Sequence, residues 1–271
     1  MADRDDNESS REEVISRIDR SVPHSARVWN YMVGGEDWYE VDKELVDRLM
    51  RDYPQAAGLA LASRAFQVRA VRHLVREEGV LQFLDIGSGL PTADNTHQVA
   101  QRYATNARIV YVDNDPLVLL HSRALLTSTP DGSAAYVEAD VRDPESVLAA
   151  AAETLDLDQP VGLMLLSMLG HIRPGPAAEL VHEYTSRLAS GSYLVTCDSI
   201  DDPTMMELNE HYAASGAVPY YPRSEAELAA TAEGLELVDP GLLPIPLWRP
   251  DTAGDPPHDQ MLQWGLVARK P

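Results

Sequence analysis

The chain holds a single cysteine among its 271 residues, Cys197, so no internal disulfide can form and no thiolate cluster can hold a metal. That cysteine lies in the apolar run 193–197, which predicts a buried, unreactive thiol. Positive charge is scarce too. Lysine occurs only as Lys43 and Lys270, and 22 basic against 43 acidic side chains leave a formal charge of −21. Such a surface repels phosphate backbones and anionic headgroups, which argues against nucleic acid and membranes as partners. No apolar run is long enough to cross a bilayer. The opening residues, Met1 to Asp6, are acidic and polar, the opposite of a signal or transit peptide, so a cytoplasmic location is expected. None of the eight histidines sits with acids at metal-ligand spacing, so no metal site is expected. The Gly-Lys-Ser/Thr of a phosphate loop and the Gly-x-Ser-x-Gly of a nucleophile elbow are both missing.

What is present alternates. Residues 1–15 are charged and lack apolar spacing, which predicts a flexible tail. Residues 16–78 read as a helical cap. One stripe there runs through Leu45, Val46 and Leu49, and a second has Phe66, Ala70, Val71 and Leu74 inward with Arg64, Arg69 and Arg72 between. From 79 to 271 strand and helix signals take turns. Strands are predicted over 81–86, 108–113, 135–140, 161–166, 191–196, 235–238 and 261–267. Helices are predicted over 95–103, 116–126, 144–152, 176–188, 205–212 and 225–232, with a Pro-rich connection over 240–257. The pattern implies an α/β fold: a doubly wound, Rossmann-like, mostly parallel seven-stranded sheet with an N-terminal helical cap.

In such sheets ligands sit at the carboxyl ends of the strands, which points to Asp85, Asp113, Asp140 and Ser167. The stretch Phe83-Leu84-Asp85-Ile86-Gly87-Ser88-Gly89-Leu90-Pro91-Thr92 reads as strand, tight turn and helix approach. Its glycines let a ligand lie against bare backbone. Asp113 falls 24 residues beyond Gly89 (113 − 89), where an ionised acid can accept both hydroxyls of a ribose. The plainer role for any of these acids is to cap the following helix, and Asp115 before Pro116 suits that role better. Thr92 stands where a dinucleotide fingerprint has its third glycine, so the turn lacks the usual pyrophosphate device. A turn of this kind suits S-adenosylmethionine, whose ligand end is a zwitterionic methionine on a sulfonium. Asp140-Val141-Arg142 is then placed to flank the adenine, with Asp140 accepting from its amino group.

Taken with Ala26-Arg27-Val28-Trp29-Asn30-Tyr31, Gly34-Gly35 and Asp37, Val110-Tyr111-Val112-Asp113-Asn114-Asp115-Pro116, Asp140-Val141-Arg142-Asp143-Pro144 and Trp248-Arg249-Pro250, the chain resembles class I S-adenosylmethionine-dependent methyltransferases. More narrowly it resembles the bacterial S-adenosyl methyltransferase family once catalogued as a domain of unknown function. The resemblance implies S-adenosylmethionine as cofactor and S-adenosylhomocysteine as product. Its cofactor-binding residues would be Arg27, Tyr31, Gly34, Asp85, Gly87, Ser88, Gly89, Asp113, Asn114, Asp140, Val141, Arg142 and Ser167. It implies no particular acceptor, since the family's substrates are not established. Two positions depart from the family pattern: Glu36 stands where a lysine is usual, and Gly170-His171 where two histidines are frequent.

Methyl transfer is an in-line displacement at an already activated carbon, so the protein has to align a nucleophile and, where needed, take its proton. His171, past the fourth strand, is the best-placed base; packing or capping accounts for a lone histidine nearly as well. Tyr31 with Arg27 and Asn30 is placed to close over the cofactor beside the Gly34-Gly35 turn, or else to make an aromatic core contact. Arg223 and Arg249 are weaker candidates for a substrate carboxylate, as Asp198 and Asp201 are for a cationic or hydroxyl substrate. Three readings follow: a methyltransferase acting on a small molecule, a cofactor-binding regulator without chemistry, and a nicotinamide-dependent oxidoreductase, which the missing third glycine disfavours.

Overall fold

The computed structural model describes residues 16–118, 120, 127–251 and 262–271. The tail expected over 1–15, most of the helix expected after Pro116, and Met261 at the start of the last expected strand fall outside them. Burial is not described for Gln55 and Ala57.

Strand β1 (Gln82–Ile86) lies at the middle of the sheet, fully buried as its unbroken apolar run demands. On one side it pairs in parallel with β2 (Arg108–Asp113), which pairs in parallel with β3 (Ser133–Glu138). On the other side it pairs with β4 (Gly162–Leu166), followed by β5 (Tyr193–Ser199). The last strand, β8 (Gln263–Arg269), runs antiparallel to β5 and carries the two-residue strands β6 (Glu236–Leu237) and β7 (Leu243–Pro244). The order is thus β3-β2-β1-β4-β5-β8-β6, with β7 also on β8. The chain leaves β1 in one direction and returns to its other flank at β4, and this switch opens a crevice at the carboxyl ends of the two strands.

Alternation along the strands feeds two cores. Leu84, Ile86, Val110 and Val112 pack with α5 (Pro144–Ala151) and α6 (Pro174–Ser186) through Val147, Leu148, Val181 and Tyr184. Phe83, Ile109, Met164 and Val195 pack on the opposite face with α3 (Leu59–Arg76) and α4 (Thr96–Tyr103). The inward stripe of α3, Phe66 to Leu74, is therefore spent on the sheet. Trp248 of the Trp-Arg-Pro segment is fully buried there, edge-on to Phe66 and His73. A third core joins α1 (Ser25–Met32) and α2 (Glu40–Asp52) to α7 (Pro203–Ala214), with Val28, Leu45, Val46 and Leu49 against Met205, Leu208 and Tyr212. A short helix α8 (Glu225–Ala230) follows, its start capped by Ser224.

Two details differ from expectation. Among the described residues eight strands form where seven were expected, because a Leu-Pro pair in the Pro-rich connection adds β7. Strand β3 starts and ends two residues early, so Asp140 lies beyond it instead of closing it. As a strand at the edge of the sheet, β3 is only partly buried along its length and lacks the alternation that marks a boundary.

Candidate functional site

A cavity of about 380 Å³ opens at the carboxyl ends of β1, β2 and β4, with α1, α2 and α7 on its far side. The turn after β1 forms its floor. Gly87 adopts φ +71°, and a Cβ there would stand 2.2 Å from Met168 Cγ in the loop after β4, so two loops meet at a spacing only glycine allows. The Gly89 N–H donates to Asp113 Oδ2 at 2.8 Å, and the Asp115 N–H donates to Asp113 Oδ1 at 3.0 Å. The Asp113 carboxylate is thereby fixed in orientation while each oxygen keeps a lone pair. Burial pushes its pKa up, against those two N–H donors.

Beside the turn, four side chains from three elements form one chain of hydrogen bonds. Arg64 Nη1 of α3 donates to Gln67 Oε1 at 2.9 Å. Gln67 Nε2 donates to Thr96 Oγ1 at 2.8 Å, and Thr96 Oγ1 donates to Asp85 Oδ2 at 2.6 Å. The chain anchors a cation at one end and an anion at the other, both facing the cavity. Arg64 Nε is buried with no partner among the described residues. Burial lowers the pKa of Arg64 and raises that of Asp85 to about 6, despite the Thr96 hydrogen bond and the Arg64 charge. Each group lacks a full counter-charge.

Past β3, Asp140 and Arg142 line the cavity with Val141, paired to each other: Arg142 Nε lies 2.9 and 3.1 Å from the two carboxylate oxygens and holds the Asp140 pKa down. Ser167, at the end of β4, sits at φ +52°, a left-handed conformation that costs a non-glycine residue about 1 kcal/mol. Its hydroxyl accepts from Gln263 Nε2 at 3.0 Å. His171, in the short 3-10 turn Leu169–His171 just past Ser167, also lines the cavity; its Nδ1 donates to the Pro219 carbonyl at 3.2 Å, which leaves Nε2 with the lone pair, and burial lowers its pKa. The loop is held from beneath by Asp198. This buried carboxylate accepts from Tyr220 Oη, from Arg223 Nε at 3.1 Å and from the Gly170 N–H at 3.3 Å, while Arg223 also donates to the Leu169 and Ile172 carbonyls.

Ten of the expected cofactor-binding residues converge on this cavity: Asp85, Gly87, Ser88, Gly89, Asp113, Asn114, Asp140, Val141, Arg142 and Ser167. Arg27, Tyr31 and Gly34 do not line it. The Arg27 guanidinium is buried against Asp42 at 2.9 Å and donates to the Asp19 and Val22 carbonyls, so it locks the cap internally. Tyr31 stacks edge-on to Trp38 and donates to Asp47 at 3.0 Å. Gly34 turns the chain after α1 with open space around it. Arg223 is consumed by Asp198, and Arg249 by the Asp239 carbonyl and His73. Cys197 is buried, and burial pushes its thiol up to about 11.

Sequence reasoning passed over Arg64, Gln67, His24, Tyr220 and Gln263, all of which line the cavity. His24 contacts Asp115 at 2.8 Å; burial acts to lower its pKa, but the Asp115 hydrogen bond and the charges of Asp115 and Asp113 raise it overall. Arg64 shares its helix with Arg69 and Arg72, which find other partners in the segment 245–251.

Strand order, switch-point cavity and glycine turn together define a class I methyltransferase fold. Residues 11–271 match the family described as S-adenosyl methyltransferase, and the chain belongs to that family, whose methyl donor is S-adenosylmethionine. A DUF574-family protein from Streptomyces avermitilis MA-4680 is 41% identical, with 94% of this chain and 100% of that chain covered and a TM-score of 0.90. A protein from Thermobifida fusca YX is 38% identical, with 93% and 96% covered and a TM-score of 0.86. Magnesium protoporphyrin IX methyltransferase from Synechocystis PCC 6803, with bound S-adenosylhomocysteine, shares the fold at 14% identity, with 90% and 93% covered and a TM-score of 0.54. Among curated proteins none matches this sequence.

Proposed function

We propose that the protein binds S-adenosylmethionine across this cavity and methylates a small-molecule acceptor. The observation that carries the reading is the Arg64–Gln67–Thr96–Asp85 chain, a buried cation and a buried anion held at fixed spacing beside a side-chain-free turn. That pair fits a zwitterion. Arg64, with its orphaned Nε, takes the methionine carboxylate, and Asp85 takes the ammonium. Asp113 accepts the ribose hydroxyls, Asn114 lies beside it, and Asp140, Val141 and Arg142 flank the adenine. When bound, S-adenosylmethionine supplies a methyl group on a sulfonium, and the electrons of the broken C–S bond pass to sulfur as the acceptor's lone pair forms the new bond. His171 receives the acceptor's proton on Nε2, since its Nδ1–H is committed to Pro219 and burial keeps the ring neutral. A regulator that only sensed the cofactor would need no room beyond the cradle, whereas this cavity continues beneath α1, α2 and α7.

Isothermal calorimetry with S-adenosylhomocysteine tests the reading. Saturable 1:1 binding is expected, weakened at least ~10-fold by Asp113→Ala through lost charge-assisted hydrogen bonds. Equal affinity of the variant and the natural chain contradicts the assignment.

A further inference from the structure

Charge is distributed unevenly around the cavity. All of its formally charged side chains, Arg64, Asp85, Asp113, Asp140 and Arg142, stand around the glycine turn and the ends of β1 to β3. The other half, between His171 and the helices, offers none that is unpaired: His24, at the start of α1, is tied to Asp115 at 2.8 Å. Eight of the thirteen residues of α2 are charged, yet only Leu49 and Met50 of that helix face the cavity. From α1 come Met32, Trp29 and Asn30 among others, and from α7 Met205, Leu208, Asn209 and Tyr212. Four of the chain's eight methionines, Met32, Met50, Met168 and Met205, line the cavity. Thioether chains adapt their shape to an apolar guest without offering it a counter-ion.

Resting on the cofactor assignment, we infer that this half is the acceptor chamber and that it takes an uncharged, largely apolar small molecule carrying one hydroxyl. A carboxylate, phosphate or ammonium placed there would be stripped of water with no free partner of opposite charge, since Asp115 already neutralises His24, a penalty that selects against it. An apolar ring loses nothing by entering and gains the contact of the methionine and leucine walls. One hydroxyl answers the acceptor that the lining leaves unpaired. Gln263, at the start of β8, spends Nε2 on Ser167 and leaves its buried Oε1 without a partner among the described residues. An O–H in the chamber satisfies such an acceptor on the way in, and its proton passes to His171 Nε2 when the oxygen becomes the nucleophile. Tyr220 cannot serve as that base, because its hydroxyl donates to Asp198 and burial raises its pKa far above the usual value.

Three probes with one ring system and different charge test this: 2-naphthol, 2-naphthoate and 2-naphthylmethylammonium, titrated by fluorescence into protein saturated with S-adenosylhomocysteine. The neutral probe is expected to bind at least ~10-fold more tightly than either ion. Met50→Glu, at a half-buried wall position, is expected to cut naphthol binding by a similar factor and leave S-adenosylhomocysteine affinity within about twofold. Equal or tighter binding of either ion to the natural chain, or no saturable naphthol binding, overturns the inference, whatever the variant does. Failure of S-adenosylhomocysteine itself to bind counts against the cofactor assignment, and the naphthol series repeated without it separates the two.

Discussion

Asp85 is the side chain whose ionisation the site depends on most. Burial raises it to about 6, the Thr96 hydroxyl and the Arg64 charge pull it down, and Asp113 pushes it further up. An ammonium ligand binds the ionised carboxylate, so affinity should be level above pH 6. It should fall below pH 6, by up to about tenfold per unit as the free protein must first lose a proton. Calorimetric affinities for S-adenosylhomocysteine from pH 5 to 8 should show this bend, and Asp85→Asn should flatten it while weakening binding throughout. A slope that persists in the variant assigns the proton elsewhere. The residues legible in the sequence were those with a positional rule behind them: an acid near the end of each apolar run, and two glycines one residue apart. Arg64 had no such rule. Its importance comes from a hydrogen-bond chain through Gln67 and Thr96, 29 residues apart in sequence, and only folding brings that chain together. The cap residues Arg27 and Tyr31 lie off the cavity, and the sequence could not show that: a cluster of functional residue types looks the same whether it faces a ligand or Asp42 and Asp47.

At the level of elements, the loop after β4 sets the geometry of the proposed base. It is braced by the fully buried Asp198–Arg223 pair, which ties β5 to the segment before α8 and to the Leu169 and Ile172 carbonyls. Removing one partner of such a pair strands the other. Asp198→Asn should therefore cost about 3 kcal/mol of stability in denaturant titrations. A change within about 0.5 kcal/mol would mean that the pair is not the brace described. The same brace explains the departure at Gly170. A Cβ there would stand 2.2 Å from the Tyr220 ring, so this chain fills with a tyrosine the space into which a second histidine would project. Strands were legible wherever the run is buried through its middle, in β1, β2, β4 and β5. They were blurred in β3 at the edge and in the two-residue strands on β8, where neither alternation nor an apolar run survives.

Across the whole molecule, a sheet with a switch point supplies the cradle, and a cap of two helices, pinned to α7 by an apolar core of its own, supplies the far wall. The charged side chains of α2 stay off the cavity, while the cap helices present methionine, leucine and tryptophan side chains to it. The fold class was open to reading because it depends on alternation along the chain. The far wall was not, because its lining comes from two helices before the sheet and a third that follows five of its strands. The central claim is that Arg64 holds the carboxylate of the cofactor's methionine end, and a ligand-side cycle tests it directly. Calorimetric affinities are measured for S-adenosylhomocysteine and for its decarboxylated analogue, in the natural chain and in Arg64→Gln. Removing the carboxylate should cost at least ~10-fold in the natural chain and less than about twofold in the variant, since the charge-assisted pair is then already lost. An equal loss in both proteins would place the carboxylate elsewhere and contradict the account.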